Sequence, residues 1–342
     1  MDDVQTGLKQ TRQAGIDILK AICIMLVVVW HCQPFKSSMF PGDQFLLQIV
    51  RQTINFFYFN ISLLAVPSFI FASLYLFFTK MSESDDYWKK RFLRLVQVYV
   101  FWVGVQFILY VLLGGDLPLP LKTIFRSGGP DLPLSTFMNP VPSIFYFLFA
   151  LMVCTLLAFF FWKLPDKLKL PVAVLVIAAS VLYFLAAAVW TVSIDTRSMK
   201  NYYIYVPAAY LLYRYRERMI SCRWIFFIFF VASLVMETAF GWRTPPYGRL
   251  SIFCGSFFLM SVFVSGWTRA WQPVVLLSRY SLGIFALHGY FMVAVSALYY
   301  MLSGQKRVAT LAGGILQFAA IFFLTCLCIW LMSKTSLRKY VS

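Results

Sequence analysis

Long apolar runs, each followed by a short polar segment, occupy most of the 342 residues of this chain. A helix needs about 20 consecutive apolar residues to cross the hydrocarbon core of a bilayer, and it satisfies its own backbone hydrogen bonds there. The sequence therefore predicts an all-α, polytopic membrane protein with about ten transmembrane helices in a single transmembrane domain over residues 1–342. The ten apolar stretches lie at 14–33, 54–78, 92–114, 142–162, 170–191, 202–216, 223–241, 249–267, 278–301 and 309–333.

The composition supports the same class. Apolar residues make up 61% of the chain and charged residues 13%, whereas soluble domains average about 45–50% and about 25%. A soluble enzyme and a disordered chain are both excluded on this ground. The net charge of +17 would suggest nucleic acid binding in a soluble protein. In a membrane protein it indicates basic cytoplasmic loops instead, so we expect contact with membrane lipid and none with nucleic acid.

The distribution of basic residues predicts the orientation. If the N-terminus is inside and the sides alternate, 19 of the Lys and Arg residues fall in inside segments and 10 in outside segments. Basic residues collect on the cytoplasmic side, so both termini are predicted to be cytoplasmic. The longest connecting segment, 115–141, is then predicted to lie outside.

The cysteines suggest no special chemistry. There are seven, most of them within apolar runs, and no Cys-x-x-Cys or Cys/His ligand spacing occurs. We therefore expect neither a disulfide framework nor a metal site.

The first apolar stretch carries ionisable residues, which are costly inside a bilayer and often functional. Lys20 and His31 are eleven residues apart, which is about three helical turns plus about 20°, so they lie on the same face of a helix. The rise along the helix axis between them is about 16 Å. Asp17 is an i,i+3 neighbour of Lys20. The alternative is that Lys20 snorkels to the interface and His31 is an interfacial polar residue.

The third stretch opens with a basic cluster, YWKKRFLRL. Arg91 and Arg94 are i,i+3 neighbours, so their two guanidinium groups can converge on one anion such as a phosphate. The alternative is the ordinary excess of basic residues on the cytoplasmic side.

Two further ionisable residues lie in later stretches. Glu237 is predicted about 21 Å from the inner face, a depth similar to that of His31, where a carboxylate would orient the imidazole. The alternative interpretation of Glu237 is that it lies near the outer interface without a functional role. His288 lies near the middle of the ninth stretch, and the alternative interpretation is that it is a packed, hydrogen-bonded core residue.

Four patches occur in order along the chain: GIDILKAICIMLVVVWH, VPSFIFASLYLFF, KKRFLRL and SLGIFALHGYF. Together they resemble acyltransferase family 3, bacterial membrane enzymes that transfer acetyl and other acyl groups to sugars of surface polysaccharides, and the third patch has the family's R-x-x-R. Two departures are visible. Lys20 stands where the family has Arg, and Ala72–Ser73 replaces a Ser-Gly pair.

The resemblance implies an acyl-CoA donor, acetyl-CoA above all, entering from the cytoplasm, and a glycan or lipid-linked glycan acceptor at a bacterial cytoplasmic membrane. Phosphates of the donor would be held by Lys20, Arg91 and Arg94. His31 would act as a general base, or would itself accept the acyl group. His288 belongs to the family pattern in a supporting role, and Glu237 is added from the residues alone as a partner of His31 or of the acceptor.

Two other classes of function fit a chain of this kind. A transporter or flippase of a lipid-linked glycan would also have ten or more spans and a few buried charges. Many transporters show internal repeats, and none is visible here. A partner-binding subunit without catalysis is the third possibility. The sequence gives no indication of an oligomeric state.

Overall fold

The computed structural model describes residues 2–112, 145–190, 199–241, 246–267, 269–305 and 308–342, with side chains from 14 to 108 in the first range. The regular structure in these ranges is entirely helical. The α-helices are α1 (Asp2–Cys32), α2 (Phe45–Phe56), α3 (Ala65–Met81), α4 (Tyr87–Leu112), α5 (Tyr146–Lys163), α6 (Asp166–Val189), α7 (Tyr205–Arg214), α8 (Arg216–Ser221), α9 (Arg223–Ala239), α10 (Leu250–Val264), α11 (Gln272–Arg279), α12 (Ser281–Ser303), α13 (Leu311–Ser333) and α14 (Arg338–Val341).

The all-helical fold is confirmed, and each of the ten predicted stretches contains a helix. In the described ranges, seven helical segments are long and apolar enough to cross a membrane. The helices in the sixth, seventh and eighth stretches have 10, 17 and 15 residues. The count of ten spans and the cytoplasmic termini therefore stay predictions, and segment 115–141 lies outside the described residues.

The chain divides into two compact units. Unit 1 comprises Met1–Cys23, Leu64–Val96 and Phe147–Val275. Unit 2 comprises Ile24–Leu63, Gln97–Tyr146 and Leu276–Ser342.

Helix α3 forms the core of unit 1. Its sequence is apolar on all sides, as in helices of a protein core or of a membrane span, and most of its side chains are buried. It packs against α7 and α10, while α9 pairs with α10. Phe71, which is 0% exposed, contacts the rings of Tyr205 and Phe257 at centroid distances of 5.8 and 5.3 Å. The rigid ring packing gives the side chains of α3 a fixed support.

Helix α12 organises unit 2 together with α13 and α14. The ring of Tyr340 in α14 stacks on Phe101 of α4 at 3.9 Å. The Nε1 of Trp102 donates a hydrogen bond to the carbonyl oxygen of Tyr340 at 3.0 Å. These contacts join α14 to the second half of α4.

Much of the remaining apolar surface is exposed. Large apolar side chains project outward along α6 and α13, including Leu175, Leu182, Leu316 and Phe323. A soluble monomer rarely exposes so much contiguous apolar surface. Together with the seven segments of spanning length, these faces indicate a multi-pass membrane protein whose helices contact lipid.

Candidate active site

The guanidinium of Arg91 is held in a fixed position within unit 1. Its Nη2 donates hydrogen bonds to the hydroxyl oxygen of Ser73 at 2.5 Å and to the Ser73 carbonyl oxygen at 3.0 Å. Its Nη1 donates to the hydroxyl of Tyr87 at 3.3 Å, and the group lies 5.7 Å from the centroid of the Phe77 ring. The buried Nε of Arg91 has no hydrogen-bond partner among the described residues. Arg91 is therefore oriented by α3.

Two more cations belong to the same part of unit 1. Lys20 of α1 lies within electrostatic range of Arg91 and Arg94 and also of Asp17. Its ammonium group is 5.7 Å from the centroid of the Phe69 ring. Arg94 is exposed, whereas Lys20 and Arg91 are half-buried. The structure thus gathers the three residues predicted to bind the phosphates of a donor, together with Asp17.

The two histidines of the chain meet in unit 2. The ring centroids of His31 and His288 are 5.1 Å apart with an angle of 55° between the planes. His31 is exposed, and His288 is 2% exposed. Nδ1 of His288 is 3.0 Å from the carbonyl oxygen of Ile284 one turn earlier in α12, and its Nε2 has no partner in the described part of the chain. Neither histidine was predicted to contact the other.

The end of α1 is shaped so that His31 occupies its last turn. Gln33 has a left-handed backbone, φ 44°, and its N–H donates to the carbonyl oxygen of Val29 at 2.8 Å. A left-handed residue in this position closes a helix, and Pro34 cannot continue it. In α13, a Cβ on Gly314 would overlap the carbonyl oxygen of Pro34. Only glycine permits this close approach, which supports the segment that follows His31.

Glu237 has a complete set of partners in unit 1. Its Oε2 accepts hydrogen bonds from Nε of Arg249 at 2.8 Å and from the hydroxyl of Ser251 at 2.6 Å, and Oε1 accepts from the backbone N–H of Ser251 at 3.0 Å. Nη2 of Arg249 is 2.7 Å from the carboxylate. Because Ser251 lies in the first turn of α10, the carboxylate of α9 satisfies an otherwise unpaired helix N-terminus. A role of Glu237 toward His31 stays a prediction.

Sequence reasoning missed several of these partners. Ser73 was noted only as a departure from the family pattern, yet it is the residue that holds Arg91. Arg249 and Ser251 gave no signal, because their pairing with Glu237 depends on the packing of α9 against α10. The same applies to Gly314, whose importance follows from a contact with a distant loop.

The described residues contain no group of three or more His, Cys, Asp or Glu side chains that would hold a metal ion. The polar groups that would hold a ligand are the cations around Arg91 in unit 1 and the imidazoles in unit 2. The first set suits an anionic group, and the second suits proton transfer or nucleophilic attack.

Comparison with known proteins gives a family. No curated protein and no solved structure matches the chain. The profile of an acyltransferase domain, that of acyltransferase family 3, matches residues 13–334, nearly the whole chain. The matched range includes both histidines, the cations around Arg91 and the ion pair of Glu237. A chain matched over this length is a membrane acyltransferase, and it belongs to acyltransferase family 3.

Proposed function

We propose that the protein transfers an acetyl group from cytoplasmic acetyl-CoA to a hydroxyl of a cell-surface polysaccharide or of its lipid-linked precursor. The site of action is the bacterial cytoplasmic membrane. The observation that supports the donor is the group of three cations, Lys20, Arg91 and Arg94, with Arg91 already oriented by Ser73. CoA carries several phosphates at one end and a thioester at the end of a long arm. Arginines that are fixed before binding favour such an anionic ligand.

His31 is the proposed catalytic residue. It lies on α1, the helix that also carries Lys20. As a general base, it removes the proton of the acceptor hydroxyl, whose oxygen attacks the thioester carbonyl carbon. The carbon–sulfur bond breaks, and the leaving sulfur receives the proton from His31. The products are an acetyl ester and CoA.

A second route uses the same residue as a nucleophile. The imidazole nitrogen attacks the thioester carbonyl carbon, the carbon–sulfur bond breaks, and CoA leaves as the thiol with the proton that the ring loses. The acceptor oxygen then attacks the acetyl carbon, and the proton of its hydroxyl returns to the imidazole as the bond from acetyl to nitrogen breaks. Rapid quenching of the protein with acetyl-CoA, followed by mass spectrometry of the peptide containing His31, separates the routes. An acetylated His31 that decays when acceptor is added indicates the nucleophilic route, whereas its absence during turnover indicates the general base.

The experiment that tests the function measures thiol release from acetyl-CoA by the purified protein, with native membranes as the source of acceptor. General-base catalysis contributes about 10²–10⁴-fold, so His31→Ala should lose at least that factor. Gln48→Ala, at an exposed polar side chain of α2, is the matched control and should keep full turnover. Normal turnover by His31→Ala would remove His31 from the mechanism.

The same assay addresses the other functional classes. A flippase would move a lipid-linked glycan across proteoliposomes without consuming acetyl-CoA, and a partner-binding subunit would do neither. Competition by succinyl-CoA tests the acyl group. Mass spectrometry of surface polysaccharide from a deletion strain identifies the acceptor by the ester that disappears.

A further inference from the structure

We infer that His288 is the positioning residue of His31, which it orients by accepting a hydrogen bond through Nε2. This inference rests on the proposed function, because it assigns a partner to the proposed catalytic imidazole. It starts from the fact that the only two histidines of the sequence lie in ring contact.

The contact with Ile284 fixes the tautomer of His288. Its Nδ1 is 3.0 Å from the carbonyl oxygen of Ile284. A carbonyl oxygen can only accept, so Nδ1 carries the hydrogen. In the neutral imidazole, Nε2 then has a lone pair and no hydrogen. The turn of α12 therefore presents a defined hydrogen-bond acceptor.

Nε2 of His288 lacks a hydrogen-bond donor. The atom is buried and has no partner among the described residues. A buried polar atom without a partner is destabilising, so a group that supplies a hydrogen is expected nearby. Among the described residues, two aromatic rings contact His288, that of Phe285 at a centroid distance of 6.1 Å and that of His31 at 5.1 Å. The ring of Phe285 has no N–H or O–H group, so of these two rings only that of His31 can donate.

The distance between the rings of His31 and His288 suits a hydrogen bond. A ring nitrogen lies about 1.2 Å from the imidazole centroid, and an N–H···N hydrogen bond spans about 2.9 Å, so hydrogen-bonded imidazoles have centroids about 5 Å apart. The observed separation of 5.1 Å already matches this value. His31 is exposed, so its ring has room to rotate. His288 is packed in α12 and provides the fixed side of the pair.

The hydrogen bond to His288 also determines the state of the second ring nitrogen of His31. When one ring nitrogen donates to His288, the other must carry the lone pair, and it points away from His288 toward the exposed side. That nitrogen is the atom that accepts the hydroxyl proton or attacks the thioester. The hydrogen bond also increases the electron density of the ring, in the same way that hydrogen-bonded histidines become more basic ligands in metal sites.

Two substitutions of His288 separate positioning from packing. The side-chain amide of His288→Gln reaches the position of Nε2 and supplies an acceptor oxygen there. The shorter amide of His288→Asn reaches only the position of Nδ1, so it keeps the bond to the Ile284 carbonyl and loses the acceptor. If the Asn variant fails to insert, His288→Met, which fills the volume without a nitrogen or oxygen, takes its place.

The first readout does not depend on the acceptor glycan. In each His288 variant, His31 is the sole histidine, so diethyl pyrocarbonate reports on it alone through the absorbance of carbethoxyhistidine, and peptide mass spectrometry confirms the position. One neutral hydrogen bond is worth about 0.5–1.5 kcal/mol, so the rate for His31 should fall about 2- to 10-fold in His288→Asn. His288→Gln should react within about twofold of the wild-type His31 rate.

The second readout is acetyl-CoA turnover with native membranes. The kcat should fall about 2- to 10-fold in His288→Asn and recover in His288→Gln, whereas the KM for acetyl-CoA should stay unchanged in both. Equal carbethoxylation rates and equal kcat values in the two variants would overturn the positioning role. Loss of the proposed function is a different result, because wild type would then release no thiol or His31→Ala would remain active.

Discussion

Nη2 of Arg91 donates hydrogen bonds to two atoms of one residue, the hydroxyl and the carbonyl oxygens of Ser73. The two residues lie on adjacent helices of unit 1, α4 and α3. A guanidinium fixed in this way loses little conformational freedom when an anion binds, and this preorganisation increases affinity. The first two predictions depend on this relationship.

Ser73→Ala should weaken acetyl-CoA binding while leaving every cation in place. The substitution removes one of the two Ser73 oxygens that accept from Nη2 of Arg91, and a hydrogen bond to a charged group is worth about 1.5–3 kcal/mol. Arg91 is half-buried, so solvent screening lowers the effect to about 0.7–1.4 kcal/mol, a rise in Kd of about 3- to 10-fold. Calorimetric titration of acetyl-CoA into detergent-purified protein measures it. The control is Ser180→Ala on α6, where the hydroxyl bonds only to its own helix at Val176. A Kd unchanged in both variants would contradict the role of Ser73.

Arg91→Ala and Arg94→Ala should each raise the Kd of acetyl-CoA by about tenfold or more. Each substitution removes the proposed charge-assisted hydrogen bonds to phosphate, and a loss of about 1.4 kcal/mol in binding free energy raises the Kd tenfold. Arg91→Lys should recover only part of the affinity, since it keeps the charge and loses the planar fork. The same titration compares wild type, Arg91→Ala and Arg91→Lys. Three equal affinities would reduce Arg91 to a cytoplasmic anchor of α4.

Glu237→Gln should lower the thermal stability of the protein clearly and should change the rate of acetyl transfer by the folded protein only slightly. The carboxylate pairs with Arg249 and caps α10 through Ser251, and removal of one partner of a buried ion pair costs about 3–5 kcal/mol. Thermal unfolding in detergent measures the loss. The double variant Glu237→Met with Arg249→Met should regain part of it, because no buried charge is then left alone. A variant Glu237→Gln with normal stability and a strongly reduced kcat would support an action on His31 instead.

Gly314→Ala should impair the protein, whereas Gly104→Ala should not. A methyl group at Gly314 would overlap the carbonyl oxygen of Pro34, so the segment after His31 must move or α13 must separate from it. Overpacking of this kind costs about 1–3 kcal/mol. Gly104 in α4 has nothing within 4 Å of an added Cβ, and alanine favours the helix there. Thermal unfolding and acetyl-CoA turnover of both variants give the comparison. Equal behaviour of the two would exclude a supporting role for Gly314.

The predicted orientation is open to a direct test with reporter fusions. Fusions within 36–50 should report an outside location, and fusions within 80–90 and 163–169 should report an inside location. The expectation follows from the collection of basic residues on the cytoplasmic side. An inside location for 36–50 would reverse the orientation and would separate His31 from the outer side of the membrane.

The helical membrane class and the position of each apolar stretch follow from the amino-acid sequence alone. Each helix satisfies its own backbone hydrogen bonds, so the length and polarity of one segment are sufficient to predict it. The face shared by Lys20 and His31 follows from the same local rule, because both residues lie on α1. The proximity of Arg91 to Arg94 also follows from their i,i+3 spacing in α4.

Which side chains meet depends on how the helices pack. Glu237 pairs with Arg249 and Ser251, His31 contacts His288, and Ser73 holds Arg91. These partners lie on different helices, and the apolar faces of such helices resemble one another so closely that the sequence does not specify which helix packs against which. The choice is made by close packing and by hydrogen bonds between helices, both of which depend on the full set of neighbours. The sequence therefore predicts His31 as the catalytic residue, and the fold brings His288 into contact with it.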